Sequence, residues 1–268
     1  MAKPSTKHRP EKAGKQPGYF IQSLERGLEI IRAFDRDHSS LTISDAARRT
    51  GLSRGVAQRF LLTLSDLGYA SFDGKSFTLR PKVLDLGFAY LASQNMWETV
   101  EPFVEEVVNE LNESCTVGVL EWPDVIYVAR VQARRVVNAA LSVGSRIPAH
   151  ASSLGHIVLG GLDPIALDGL LRKAKLAKRT ANTIIDPARL KKAILLARQR
   201  GWALGDQEFE EGVRSVAVPL FDRHGAIVAA MKVVAPTNRA SIEDLQKRFL
   251  PVLQHAAERA NQALRARS

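Results

Sequence analysis

The sequence predicts an α+β protein in two domains, an N-terminal winged helix-turn-helix and a larger C-terminal domain, with a linker helix between them. Three observations carry this. The run LTISDAARRTGLSRGVAQRFLLTLSDL, residues 41–67, reads as two helices about a tight turn. YASFDGKSFTLRP follows at once as a β-hairpin. From Glu98 the pattern changes to a helix with one apolar face, then to alternating strand-like and helical runs. At 268 residues the chain is long enough for two cores. The divisions fall at 1–18 (a disordered basic arm), 19–81 (winged helix-turn-helix), 82–97 (linker helix) and 98–266 (second domain).

Residues 1–18 hold Lys, Pro and Gly without apolar periodicity, which predicts no packed structure. FIQSLERGLEIIRAFD then sets Leu24, Leu28, Ile31 and Phe34 at helical spacing. This helix, capped by Ser23 or a residue just before it, is expected to pack under the next two, with residues 35–40 as the connection. Thr42 is the N-cap of a helix from Ile43 to Thr50. Gly51 supplies a left-handed position, Leu52 plugs the angle, and Ser53 caps the second helix. Ala46, Ala47, Leu52, Ala57, Phe60 and Leu61 form the inner seam, where a side chain larger than Ala47 would push the helices apart. Gly68 ends the second helix, and Asp73-Gly74 turns the hairpin. Pro81 opens the linker helix, whose Val83, Leu86, Tyr90 and Leu91 form a stripe suited to pairing with a second copy.

In the second domain, Val100, Phe103, Val104, Val107 and Leu111 share one helical face. CTVGVLEW and VIYVARV form a hairpin hinged at Pro123-Asp124, and VVNAALSV reads as a third strand. HASSLGHIVLGGL is a loop and a short helix, followed by helices at about 164–174 and 187–200, the second broken by Gly201. A strand begins at Val213, residues 222–225 turn, AIVAAMKVVAP is the last strand, and 242–264 is a terminal helix. Helices thus surround an antiparallel sheet, as in a sensor domain.

Composition narrows the function classes. With 45% hydrophobic and 25% charged residues the chain is globular, and no apolar run reaches the ~18 residues of a membrane span. No apolar segment follows the basic N-terminus, so a secretory signal is not expected and the cytoplasm is. A single cysteine, Cys115, excludes an intramolecular disulfide and a Cys-rich zinc site; it reads as a small buried hydrophobe. The net charge of +10 favours a polyanionic partner. Ser53, Arg54, Gln58 and Arg59 face outward at the start of the second helix, donor-rich groups suited to base edges and phosphates in a major groove. Thr42 and Lys75, at the hairpin tip, complete the expected DNA-binding set. Double-stranded DNA with an inverted repeat is the expected partner.

The runs SLERGLEIIRAF, the helix-turn-helix, LTLSDLGYASFDGKSFTLRPKVLDLGFAYLAS and GWALGDQEFEEGVRSVAVPLFDRHG together resemble the IclR family of bacterial transcriptional regulators, over roughly residues 20–264. FIQSLERGLEIIRAFD, YVARVQARR and GWALGDQEFEEGVRS look most like its Pca and Pob regulators, which control protocatechuate and 4-hydroxybenzoate breakdown through the β-ketoadipate pathway. The resemblance implies a GAF-like C-terminal α/β effector-binding domain, a homodimer or dimer of dimers, and a small organic acid effector, with RNA polymerase as a further partner. Carried over position by position, the family's pocket joins Ser153 and Leu154 to Asp206, Val213 and Ser215 and to Lys232 and Val234, with Val136 and Ala139 as an apolar wall. One branch of the family has an acid at Gly205, which leaves Asp206 as the remaining acid of this turn.

The residues themselves fit a carboxylate. Backbone N–H groups after Ser152 would point at an anion. Strand alternation sets Lys232 with Val228, Ala230 and Val234, while Ile227, Met231 and Val233 take the other face. An ammonium among apolar neighbours is costly unless it reaches water or an anion. Lys232 therefore either pairs with an effector carboxylate, snorkels to solvent or makes a structural salt bridge. His150 is a second hydrogen-bonding group. Of the adjacent Arg134 and Arg135, at most one faces a pocket. No H-E-x-x-H, P-loop or G-x-G-x-x-G with a following acid occurs, and G-x-S-x-G is met only at residues 51–55, in the turn of the helix-turn-helix, so no enzyme, catalytic residue, cofactor or metal is expected. Two alternatives remain: an effector that is a small aliphatic acid such as pyruvate or glyoxylate, and a DNA-binding protein without sequence preference.

Overall fold

The computed structural model describes residues 17–35, 37–93, 96–133 and 141–266. The chain divides into two compact units between Tyr90 and Leu91. Of the expected arm over 1–18, residues 1–16 lie outside the described residues, as do Arg134, Arg135, Val136 and Ala139.

The first unit runs α1 (Gln22–Arg32), β1 (Ser40–Leu41), α2 (Ile43–Thr50), α3 (Arg54–Asp66), β2 (Ala70–Phe72) and β3 (Phe77–Leu79). Thr42 starts α2 through a capping box, its hydroxyl accepting from the Asp45 N–H while the Asp45 carboxylate accepts from the Thr42 N–H. Gly51 ends it in the left-handed region at φ 71°, and Ser53 caps α3. Ala46 and Ala57 are wholly excluded from solvent, so two small side chains set the closeness of the crossing and Ala47 is less confined than they are. Leu61, Leu41, Phe77 and Ile30 complete this core.

Three local expectations change. In α1 the buried residue is Ile30, whereas Leu24 and Leu28 are 62% and 47% exposed. Periodicity marks an apolar face but not its partner. The N-cap of α1 is Ile21, with no side-chain cap, rather than Ser23. Ser40–Leu41, expected as connection, pairs with β3 to give a three-stranded sheet of order β1-β3-β2; two residues are too few to show a period. Leu67 is the C-cap of α3, and Gly68 follows at φ 80°. A 3-10 turn, Pro81–Val83, then leads into α4 (Leu84–Ser93).

The second unit contains α5 (Met96–Leu111), β4 (Ser114–Glu121), β5 (Asp124–Val131), β6 (Arg146–Pro148), α6 (Ser153–Gly160), α7 (Pro164–Lys173), α8 (Pro187–Arg200), β7 (Ala203–Asp206), β8 (Val213–Phe221), β9 (Ile227–Pro236), α9 (Ile242–Asp244) and, beyond a π-helical turn at Leu245–Phe249, α10 (Leu250–Ala266). The strands form one antiparallel sheet in the order β6-β5-β4-β9-β8-β7. Alternation divides its faces. Cys115, Val117, Val216, Met231 and Val233 pack with Val104 and Val107 of α5 and Leu253 of α10. Tyr127, Ala217 and Ala230 pack with Leu154 and Ile157 of α6 and Ile194 of α8. Cys115 is fully buried, and burial pushes its thiol up to about 12, which leaves it unreactive.

The sheet departs from expectation in three places. Of the run 136–143, residues 136–140 lie outside the described residues and 141–143 are not strand; the strand at that edge is β6, paired with β5. The edge strand β7 is an addition, too short and too glycine-rich to read as a strand. A register shift at Leu220/Phe221 packs Ile227 with Ala230, on the α6 side, rather than with Met231 and Val233. The β4–β5 turn is Trp122-Pro123, since Glu121 pairs with Asp124.

Helix α6 lies hard against the chain before it. A Cβ on Gly155 would stand 1.9 Å from the carbonyl oxygen of Ala149, a backbone atom with no room to yield. Gly155→Ala is therefore expected to destabilise the second unit by at least about 2 kcal/mol, read as a lowered urea midpoint by tryptophan fluorescence.

Candidate functional site

Two regions gather the residues expected to act, one in each unit. In the first, the start of α3 presents Ser53, Arg54, Gln58 and Arg59 to solvent. Ser53 also accepts from the Val56 N–H at 3.4 Å, so it fixes the helix end on which the others stand. Arg54 and Arg59 make no ion pair among the described residues. Other cations here are committed: Arg48 to Asp45 at 2.6 Å, and Arg49 to Asp35 and to the Ala33 carbonyl. The hydroxyl of Thr42 serves the capping box and donates to Asp45 at 2.7 Å. Lys75 is exposed at the tip of the β2–β3 hairpin, where the Asp73 carboxylate accepts from the Lys75 and Ser76 N–H groups and holds the turn.

In the second unit, a cavity of about 40 Å³ lies between the sheet and the start of α6. Its lining includes four expected residues: Val213, Ser215, Lys232 and Val234. Ser152 and Phe209 join them. Gly205 does too, and must be bare, because a Cβ there would stand 2.7 Å from the Ser215 hydroxyl oxygen. Ser153 sits just behind, its hydroxyl 2.8 Å from that of Ser215. Ser152 caps α6 by accepting from the Gly155 N–H at 3.1 Å. Lys232 is 7% exposed and donates to the Tyr127 hydroxyl at 2.9 Å. Among the described residues it forms no salt bridge, and it does not snorkel to solvent. Next to it in register, Thr116 accepts from Arg130 at 3.1 Å, and the Arg130 Nε is buried with no partner among the described residues.

Three expected residues lie elsewhere. Leu154 is wholly buried on the α6 side of the core and does not line the cavity. His150 turns its Nε2 to the Ala177 carbonyl at 3.0 Å, a structural tie. Asp206 is given to Arg214 at 2.7 Å. Sequence reasoning missed the acids of this turn that line the cavity, the exposed Glu210 and the less exposed Glu208. The only signal of Glu208 was an acid two residues after Asp206, hidden because the short strand β7 was not recognised.

The loop holding Glu208 is pinned. Gln207 adopts φ 58°, its N–H donates to the Val213 carbonyl, and its side-chain oxygen accepts from the Gly212 N–H at 3.1 Å. Thr180 donates to the Gln207 carbonyl at 2.6 Å and Thr183 to the Glu208 carbonyl at 2.7 Å. A left-handed non-glycine residue costs on the order of 1 kcal/mol and persists where its surroundings over-determine it. The Glu208 Oε2 is buried without a hydrogen-bond partner among the described residues, 3.6 Å from the His156 Nε2. That nitrogen donates to the His150 carbonyl at 3.1 Å. Burial, aided by Asp206, pushes the Glu208 carboxyl up to about 8, and burial holds His156 below its usual range. The pair is therefore neutral at pH 7, an acid beside an imidazole rather than an ion pair.

The sign of the resulting pH effect follows from proton uptake. Between about 4.5 and 8 the folded chain holds a proton on Glu208 that the unfolded chain has released, so stability falls as pH rises through that window. Glu208→Gln removes the effect. Its thermal midpoint is expected to exceed that of the wild type at pH 8 by several degrees, with the gap closing at pH 5, in a paired melting series.

Both units resemble known proteins. The family model described as IclR helix-turn-helix domain matches residues 23–74, and that described as bacterial transcriptional regulator IclR C-terminal matches residues 88–262. The Pca regulon regulatory protein of Pseudomonas putida is 40% identical over 235 residues, 87% of this chain and 81% of that one. The p-hydroxybenzoate hydroxylase transcriptional activator of Acinetobacter baylyi is 31% identical over 243 residues, 89% of this chain and 90% of that one. Among solved structures, an IclR homolog from Microbacterium hydrocarbonoxydans, complexed with 4-hydroxybenzoate, superposes with a TM-score of 0.80 at 24% identity, covering 91% of this chain and 99% of that one. With both of its units matched in order, the chain belongs to the IclR family of bacterial transcriptional regulators.

Proposed function

We propose that this regulator binds an inverted-repeat operator as a homodimer or dimer of dimers and is gated by an aromatic carboxylic acid, controlling genes of aromatic catabolism. The observation that carries the effector reading is Lys232: a buried lysine lining a cavity, held by a tyrosine hydroxyl and forming no salt bridge among the described residues, although Glu208 and Glu210 line the same cavity. A ligand carboxylate would supply the missing charge. Ser152 and Ser215 offer hydroxyl groups, and Val213 and Val234 flank an apolar body. The Acinetobacter and Microbacterium relatives, one named for p-hydroxybenzoate hydroxylase and the other holding 4-hydroxybenzoate, favour the aromatic class. Leu84, Leu86 and Phe88 on α4, all more than half exposed, support a second copy as a partner.

At about 40 Å³ the cavity holds little more than one water, so an aromatic acid enters only by displacing a wall. Phe209 and Glu210 line both this cavity and an open surface cleft of about 420 Å³ beside Lys178 and Arg179, which makes their loop the natural partition. A ligand that binds the expanded form better shifts the population toward it, and the gate is that difference in affinity. The small volume favours a second reading, in which the effector is a two- or three-carbon acid such as glyoxylate or pyruvate.

A thermal-shift panel on the full-length protein separates the two, because ligands of the native state raise its midpoint. 4-Hydroxybenzoate or protocatechuate is expected to shift it; a shift with pyruvate or glyoxylate alone would give the second reading. Lys232→Met is expected to weaken binding of the active acid at least tenfold, and unchanged affinity by calorimetry would remove Lys232 as its anchor. On DNA, Arg54→Ala or Arg59→Ala is expected to lose about 1–3 kcal/mol and relax sequence choice where the residue meets guanine. Fluorescence anisotropy across salt concentrations checks this: a uniform loss over all sequences, with a shallower salt slope, marks a phosphate contact instead.

A further inference from the structure

The cavity has a second polar feature that a carboxylate alone would not satisfy. Its lining includes Lys232, Glu210 and Glu208, and the Glu208 Oε2 is buried without a hydrogen-bond partner among the described residues. Three of the charged and titratable neighbours of Glu208 are committed. The His156 Nε2, from α6, donates to the His150 carbonyl and stands 3.6 Å away, beyond hydrogen-bond reach. Asp206, from β7, is held by Arg214 of β8. Lys232, from β9, donates to Tyr127. Glu210, on the same loop, also lines the cavity. The loop is fastened at the backbone on both sides of Glu208, through the Gln207 and Glu208 carbonyls and the Gly212 N–H, so the side chain is not a surface group that has folded inward.

We infer that Glu208 is the specificity-determining group of this cavity: it hydrogen-bonds a hydroxyl carried by the effector, while Lys232 takes the carboxylate, so that the ligand class is hydroxylated carboxylic acids. This rests on the effector reading above and deepens it. Burial and Asp206 keep the Glu208 carboxyl protonated at neutral pH. In that form it offers an O–H and a carbonyl oxygen, a match for a hydroxyl, which both donates and accepts. It also avoids setting a second negative charge beside the effector's own. An unsubstituted acid entering the same space would leave the Glu208 oxygen buried and unmet. A site built to hydrogen-bond a hydroxyl rejects the analogue that lacks it far more strongly than an apolar site can reject an added group.

The test is isothermal titration of the full-length protein with 4-hydroxybenzoate, 3-hydroxybenzoate and benzoate, for the wild type, Glu208→Met and Glu208→Gln. The wild type is expected to prefer a hydroxybenzoate over benzoate by at least about tenfold. Glu208→Met is expected to bring that ratio to within about twofold while benzoate still binds, and Glu208→Gln, whose amide also donates and accepts, to retain a preference. A Glu208→Met ratio equal to the wild-type ratio, or a wild type indifferent to the hydroxyl, overturns the inference and leaves the aromatic-acid reading in place. Absence of binding by all three acids to the folded wild type overturns both. Should Glu208→Met not fold, the wild-type ratio and that of Glu208→Gln still decide: a wild type without preference, or Glu208→Gln abolishing all binding, counts against it.

Discussion

The close seat of α6 against the sheet is the constraint on which the second unit depends. Four glycines stand where a Cβ would intrude: Gly155 on the backbone of Ala149, Gly161 at the end of α6 on Ile227 of β9, Gly118 of β4 on Val125 and Leu154, and Gly205 of β7 on the Ser215 hydroxyl. Because α6 sits so close, Ser152 and Ser153 at its start reach the strands, and Leu154 and Ile157 fill the layer behind them. The cavity is the residue of that packing. It is small because the helix is near, and the cap of that helix, Ser152, is part of its lining.

Into this packed layer the chain places charges that ordinary core formation would exclude. A lysine on a central strand is costly to bury, and its partner is a neutral hydroxyl rather than a carboxylate. A glutamate one loop away is equally costly as an anion, and its environment keeps it an acid. The two do not cancel each other. Their persistence in a core otherwise divided cleanly between its apolar faces fits a site whose counterpart arrives from solution, which is where strain and unmet polar groups are expected to collect.

The first unit has a different economy. Its helices are short, so their ends matter as much as their middles. Thr42 with Asp45 and Gly51 with Ser53 fix both ends of the turn through bonds spanning three or four residues. Ala46 and Ala57 then let α2 and α3 cross closely, and the exposed face of α3 is left to Arg54, Gln58 and Arg59. The same unit keeps Leu24 and Leu28 in solvent, an apolar face of α1 that its own core does not use.

The sequence by itself determined the features that depend on near neighbours. The bounds of α2, α3 and α8 and the αL residues Gly51 and Gly201 follow from caps and breakers within a few residues. The alternation along β4 and most of β9 followed from a period of two, whereas Val213, Ser215, Lys232 and Val234 were legible as a group only through the resemblance to the family. The tertiary structure decided what distant segments do to one another. It paired Lys232 with Tyr127, 105 residues away, gave Asp206 to Arg214, and drew Glu208 inward beside His156. It also set the short strands β1 and β7 and the register shift that turns Ile227, because pairing partners supply what two to four residues cannot show. Local propensity acts over one turn or one strand, whereas burial, and with it the protonation of an acid, is a property of everything packed around it.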